Sequence, residues 1–341
     1  MGQSRNKDAP MKCLLAACLA LPAAAAPPPY RLAATISLGA PARWDYLHFD
    51  PASGHLLIAH GNHIDVFDPA AGQVISQLQG LDGAHAVAVA PSGNIYADSG
   101  QSGAITEFDG HSSRPIRTIA TSPGADAMLY EPTHRLVAVM NGKAQTVTLI
   151  DAASGAVRAT IPLGASPEFA AADGAGHIDI NLESSRQIAV LNVATNHLTA
   201  RYDIASCDSP HGMAIDPANR HIFTTCENKR LLVIDATSGT VLQTLPIDGG
   251  SDAAAFDPIH RLVFSSNGAG TLSIFHEATD GRLTARPAQP TEPGARTMAT
   301  DPASGDIFLV TADRAAPPSP GHYPSYKPGT VRLLILTPQR H

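Results

Sequence analysis

The chain has 341 residues, is 44% hydrophobic and 16% charged, and carries a formal net charge of −7. Such a chain can bury a large core, and without a basic stripe to neutralise phosphates a nucleic-acid partner is not expected. A Walker loop, a dinucleotide fingerprint and a G-x-S-x-G elbow are all missing, which removes the enzyme classes built on them.

At the N-terminus, Lys12 precedes CLLAACLALPAAAA, an apolar segment too short to span a bilayer and ending in small residues. Residues 1–26 therefore read as a secretory signal peptide, cleaved after Ala25, with Met11 a candidate for the true start. A second reading treats LAAC, Leu15 to Cys18, as a lipobox that anchors the chain through Cys18. Both readings send the protein out of the cytoplasm, to the periplasm or beyond. No later segment approaches the roughly 20 apolar residues of a membrane helix.

From residue 27 to 341 the sequence reads as one domain made of copies of a single unit, clearest between Asp216 and Asp257. Turn DPANR leads into HIFTTC, then ENK, RLLVID, ATSG, TVLQTLPI, a glycine turn and DAAAF. Short apolar runs between turn residues predict four strands per unit and no helix. The Asp-Pro turn or its equivalent starts at Asp50, Ala90, Glu131, Asp173, Asp216, Asp257 and Asp301, in steps of 40 to 44 residues. That period predicts an all-β seven-bladed β-propeller with four-stranded antiparallel blades.

Runs of small residues, such as AVAVA (86–90), FAAAD (169–173) and AAAF (253–256), mark the inner strand of each blade, where neighbouring blades converge on the channel. Only two strands follow the last turn, DIFLVTA and TVRLLILTP, so RLAATISL (31–38) is expected to close the last blade. The segment between those two strands, residues 313–329, is a proline-rich insertion that reads as a lid or as a surface excursion.

Beyond the leader, the chain has two cysteines, Cys207 and Cys226. In an oxidising compartment they are expected to pair, the alternative being two buried thiols. No cysteine opens a C-x-x-C pattern, which argues against covalent haem and a cysteine zinc site.

Five residues before each Asp-Pro equivalent stand Asp45, His85, Asp126, Glu168, His211, Asp252 and Arg296. Every blade thus places an ionisable residue at the start of its inner strand, where all seven would ring one mouth of the channel. A wet channel lining would also be polar, and the alternative to it is a binding site. In that case His85, Asp126, Glu168 and His211 offer oxygen and imidazole ligands to a divalent metal ion, and Arg296 a planar fork to a carboxylate or phosphate. His55, His60 and His63 straddle a strand and its turn, and are read as surface histidines unable to share one face.

The pieces VFDPAAG, LIDAASG, VIDATSG and SDAAAFDPIHRLVFSSNGAGTLSIF resemble the YVTN-type repeats of exported bacterial proteins, and residues 31–338 look like the YncE-like family. The resemblance implies the propeller fold and carries no single reaction. Function is accordingly expected to be binding or scaffolding of a small anionic ligand, a metal or a protein by a monomeric propeller. The alternative is a metal-dependent hydrolase or lactonase using the same channel residues.

Overall fold

Six of the seven blades turn at an aspartate or glutamate whose carboxylate accepts backbone N–H bonds from residues just ahead, blade two turning at Ala90 instead. Asp50 holds Ala52 and Ser53, Glu131 holds Thr133 and His134, and Asp257 holds Ile259 and His260. These local bonds are why acidic residues start the turns even where proline is absent. A computed structural model describes residues 1–2, 29–316 and 324–339. The predicted leader from residue 3 on, with Met11 and Cys18, and the middle of the insertion (317–323) lie outside the described residues.

The strands form seven sheets, each antiparallel. Blade one, for example, runs Leu47–Asp50, His55–His60, His63–Asp68 and Gln73–Gln79, and blade four runs Pro167–Ala172, His177–Leu182, Gln187–Asn192 and His197–Asp203. Blade six adds a short extra pairing at Gln289–Pro290. Apart from one 3-10 turn at Glu183–Ser185, the described residues form strands and turns. Among them, no helix is long and apolar enough to cross a membrane.

The first strands of neighbouring blades contact one another around the full circle. Their approach demands small residues. A Cβ on Gly212 of blade five would lie 2.5 Å from the backbone of Ala253 and Ala254 in blade six, so only glycine fits there. Bulk grows outward. The second and third strands are buried on both faces, as in Leu136–Asn141, while outer strands such as His197–Asp203 alternate exposed and half-buried residues.

Blade seven closes as expected. Tyr30–Gly39 pairs antiparallel with Val331–Pro338, from Tyr30 opposite Pro338 to Gly39 opposite Val331, beside Ile307–Thr311 and Met298–Thr300. The base of the insertion is also ordered by pairing: Arg314 bridges Tyr326, and Ala315 N–H donates to Ser325. Tyr326 then packs edge-on against Trp44, ring centroids 4.6 Å apart.

Cys207 and Cys226 form the expected disulfide, their Cα atoms 5.2 Å apart. Pro210 pairs with Cys226, so the hairpin of blade five brings the two sulfurs together.

The histidines of blade one correct the sequence reading. His60 and His63 are cross-strand partners at a two-residue turn, so they lie on the same face of the sheet rather than on opposite ones. Neither is a surface residue: His60 is fully buried and His63 is 8% exposed. His55, at the far end of its strand, stands apart from both in a cleft of about 280 Å³ with Asp50, Asp109 and His111.

Candidate functional site

The seven ionisable residues all sit half-buried at the start of the inner strands. In four blades the backbone departs from regular pairing there, with register shifts at Ala125/Ala127, Pro167/Ala170, Pro210/Met213 and Ser251/Ala253. Such bulges re-aim a side chain that would otherwise follow the pleat. Asp126, Glu168, His211 and Asp252 are the residues at these irregularities.

Two triads result. Asp45, His85 and Asp126 bring one ligand atom each within 4.8 Å of the others, and so do Glu168, His211 and Asp252. The four residues singled out as metal ligands are therefore divided: His85 and Asp126 belong with Asp45, and Glu168 and His211 with Asp252. Arg296 pairs with the second triad, its Nε 2.7 Å from Asp252 Oδ2.

His85 is held firmly. Asp98, 1% exposed, accepts the backbone N–H groups of His85 and Ala86 at 2.8 Å and the Nδ1–H of His85 at 3.0 Å. A Cβ on Gly100 would fall 2.3 Å from the His85 ring, so this glycine makes the space the imidazole fills. Nε2 accepts a hydrogen bond from Arg43 at 2.9 Å. Because guanidinium only donates, Arg43, a proton and a metal ion compete for the same lone pair.

The second triad is reached from across the ring. Tyr46 Oη donates to Glu168 at 3.1 Å from the opposite side of the channel, and its ring lies 4.8 Å from Phe169. Tyr46 is buried beside the mouth, which forms a shallow cup between the inner strands. His211 Nδ1 lies 3.3 Å from Asp252 and 3.8 Å from Glu168, yet it is buried without an aligned hydrogen-bond partner. A cleft of about 350 Å³ on one side of the cup is lined by His85, Asp126 and Glu168 together with Gln101, Lys143 and Glu183.

Crowded carboxylates in a partly dry site resist ionising together. Burial, and then Asp252, pushes Asp45 well above the usual carboxylate range. Burial, and then Asp126 and Asp252, does the same to Glu168, and burial also raises Asp126. Asp252 is the exception: burial opposes its charge, but His211 and Arg296 outweigh that and lower it. Burial likewise opposes the imidazolium forms, but Asp98, Asp45 and Asp126 carry His85 up to about 9, and Asp252, Glu168 and Glu183 carry His211 to about 9.

Asp98, Arg43, Tyr46 and Glu183 were not singled out from the sequence. A signal for the first was present: the residue before the last in the second strand is polar in blades two, four, five and six. Each supports the cup's backbone. Asp98 binds His85 and Ala86, Asn181 the His211 carbonyl, Thr225 the Gly212 N–H, and Ser266 the Arg296 carbonyl. Tyr46 was legible only as the neighbour of Asp45 in the stretch that carries the one tryptophan.

Known structures share the architecture. A chain of hydrazine synthase from Kuenenia stuttgartiensis superposes with a TM-score of 0.68 at 14% identity, covering 77% of this chain and 91% of that one. A chain of a mitotic checkpoint complex superposes with a TM-score of 0.71 at 15% identity, covering 87% and 95%. Identities this low carry the fold alone. No protein-family model matches the chain, and no curated protein matches it.

Proposed function

We propose that the protein is an exported, monomeric binding propeller of the YncE-like, YVTN-repeat kind. Its cup would take a divalent cation through Asp45, His85 and Asp126 and leave open positions for a small anionic ligand within reach of Arg296. The observation that carries this reading is His85, whose Nδ1 proton is committed to the buried Asp98 carboxylate, leaving Nε2, where Arg43 now donates, as its ligand atom, in a group with Asp45 and Asp126 whose ligand atoms lie within 4.8 Å of one another. Metal-ligating histidines are oriented by this kind of second partner. The raised carboxyls of Asp45 and Asp126 add to it, because burial disfavours their charged forms and a cation between them would offset that cost.

Export accords with the Cys207–Cys226 disulfide, which persists where glutathione does not reduce it. Three protein ligands leave room for water on the ion, the arrangement a metal-dependent hydrolase or lactonase would use. Calorimetric titration of chelator-stripped protein with zinc, manganese, copper and calcium tests the reading. Binding in the wild type that His85→Ala and Asp126→Asn weaken is expected. A wild type that binds none of the four at the cup, or variants that bind equally well, would overturn it.

A further inference from the structure

A second cluster lies in blade one and shares no residue with the cup. Its origin is the segment HGNHID, where a two-residue turn with Gly61 at φ +63° pairs His60 with His63. Period-two alternation then puts Asp65 on the same face as His63, and the outer strand adds Gln77 directly opposite Asp65. All of this face is covered. His60 is 0% and Asp65 1% exposed, leaving only the edge of His63 near solvent.

The hydrogen bonds fix the chemistry of each ring. His60 Nε2 lies 2.8 Å from the backbone carbonyl of Pro41, an acceptor only, so that nitrogen carries its hydrogen. His60 Nδ1 then faces Asp65 Oδ2 at 2.8 Å. On the other carboxylate oxygen, Gln77 Nε2 donates at 2.7 Å and His63 Nε2 stands 3.2 Å away. Two imidazole nitrogens and a carboxylate, all buried and facing inward, require positive charge between them, supplied by protons or by a metal ion. The Pro41 carbonyl on His60 is the kind of outer partner that orients a ligand around a bound metal.

We propose that His60 Nδ1, His63 Nε2 and the Asp65 carboxylate form a closed structural site for a zinc-like divalent ion, which clamps the segment before blade one onto its hairpin. The spacing suits such an ion. Ligand atoms on one tetrahedral zinc lie about 3.3 Å apart, so the 3.2 Å between His63 and Asp65 already fits. The His60–Asp65 contact opens by roughly half an ångström to the same spacing. Gln77, 3.2 Å from His63, supplies a fourth ligand by turning its amide oxygen inward. Imidazole and carboxylate together favour zinc, copper or nickel over calcium and magnesium.

The consequence is mechanical. Pro41 lies two residues beyond the strand that closes blade seven, and its ring sits against Gly61 at the hairpin turn. An ion here joins the closing strand's exit to blade one and stiffens the seam between the last blade and the first.

The test uses the full chain, stripped with chelator and loaded with cobalt(II) or zinc alone. Wild type and His85→Ala should both show the intense visible bands of tetrahedral cobalt and a higher melting temperature with zinc. His63→Gln, altered at the edge nearest solvent, should lose the bands and about tenfold or more in zinc affinity. Asp65→Asn should do the same, and circular dichroism of the metal-free variants checks that they fold. A wild type that takes up neither metal at micromolar concentration overturns the proposal whatever the variants do. So does a cobalt signal that survives His63→Gln and vanishes in His85→Ala, which would assign the metal to the cup alone.

Discussion

Asp98→Asn keeps the shape of a buried side chain and removes its charge, which makes it a selective probe of the cup. The carboxylate accepts three hydrogen bonds, two from backbone N–H groups and one from His85 Nδ1. Asparagine's oxygen can keep the backbone pair, but its NH2 group then faces Nδ1 and forces that nitrogen to accept. The ring proton moves to Nε2, which can then neither accept from Arg43 nor bind a metal ion. The rise of His85 from 6.5 to about 9 corresponds to roughly 3 kcal/mol of preference for the imidazolium, with Asp98 the largest contributor opposing burial. Losing it should drop the His85 pKa by roughly one unit or more. It should also cost about 1.5–3 kcal/mol of stability for the charged hydrogen bond. Divalent-metal affinity at the cup should fall about 10- to 100-fold. Imidazole NMR across a pH titration reads the first quantity, denaturant melts the second and calorimetry the third. If His85 titrates in the variant as it does in the wild type, the orienting role assigned to Asp98 is wrong.

Deleting residues 31–38 should uncover the edge of Val331–Pro338 and produce aggregation or a loss of cooperative unfolding, read by size-exclusion chromatography and circular dichroism; a monomeric truncation of equal stability would refute closure by this strand. Reducing the disulfide, which links residues 19 apart, should cost about 3 kcal/mol in urea melts, and mass spectrometry of unreduced protein should find no free thiol. Metal-free protein should lose stability as pH rises from 6.5 toward about 9. The folded state holds the His85 and His211 protons more tightly than the unfolded chain, so that stabilisation is complete below 6.5 and gone above about 9. The raised carboxyls of Asp45 and Glu168 act in the same direction. Melting temperatures that climb over this interval would contradict the electrostatics of the cup.

Architecture was legible because it depends on short-range signals repeated seven times. One Asp-Pro turn is weak, but its recurrence at near-constant steps fixes blade number, and the missing outer strand at the C-terminus points to RLAATISL. The positions of Asp45, His85, Asp126, Glu168, His211, Asp252 and Arg296 were legible for the same reason. Their grouping was not, because it depends on how far each bulge rotates a side chain and on Tyr46 reaching across the channel to Glu168. His60 and His63 were misjudged because they straddle a strand and its turn and were read as unable to share a face, whereas a two-residue turn makes them direct partners. Turn length, not spacing alone, sets which residues meet.

The pairing that completes blade seven also sets the order in which the molecule can assemble. Tyr30 accepts a hydrogen bond from Gln339, 309 residues away along the chain, so the first strand has no partner until nearly the whole sequence is present. Six blades can form from contacts within some forty residues each, but the ring cannot lock while they do. Folding of such a topology is limited by the search that brings the two ends together, a loop closure whose entropic cost grows only slowly with length but whose rate is low. Until then, Tyr30–Gly39 is an unpaired strand whose outward residues are largely exposed, an arrangement that keeps a waiting edge soluble. A chain folded this way gains its resistance to unfolding in the last step, and either end pulled free would release it.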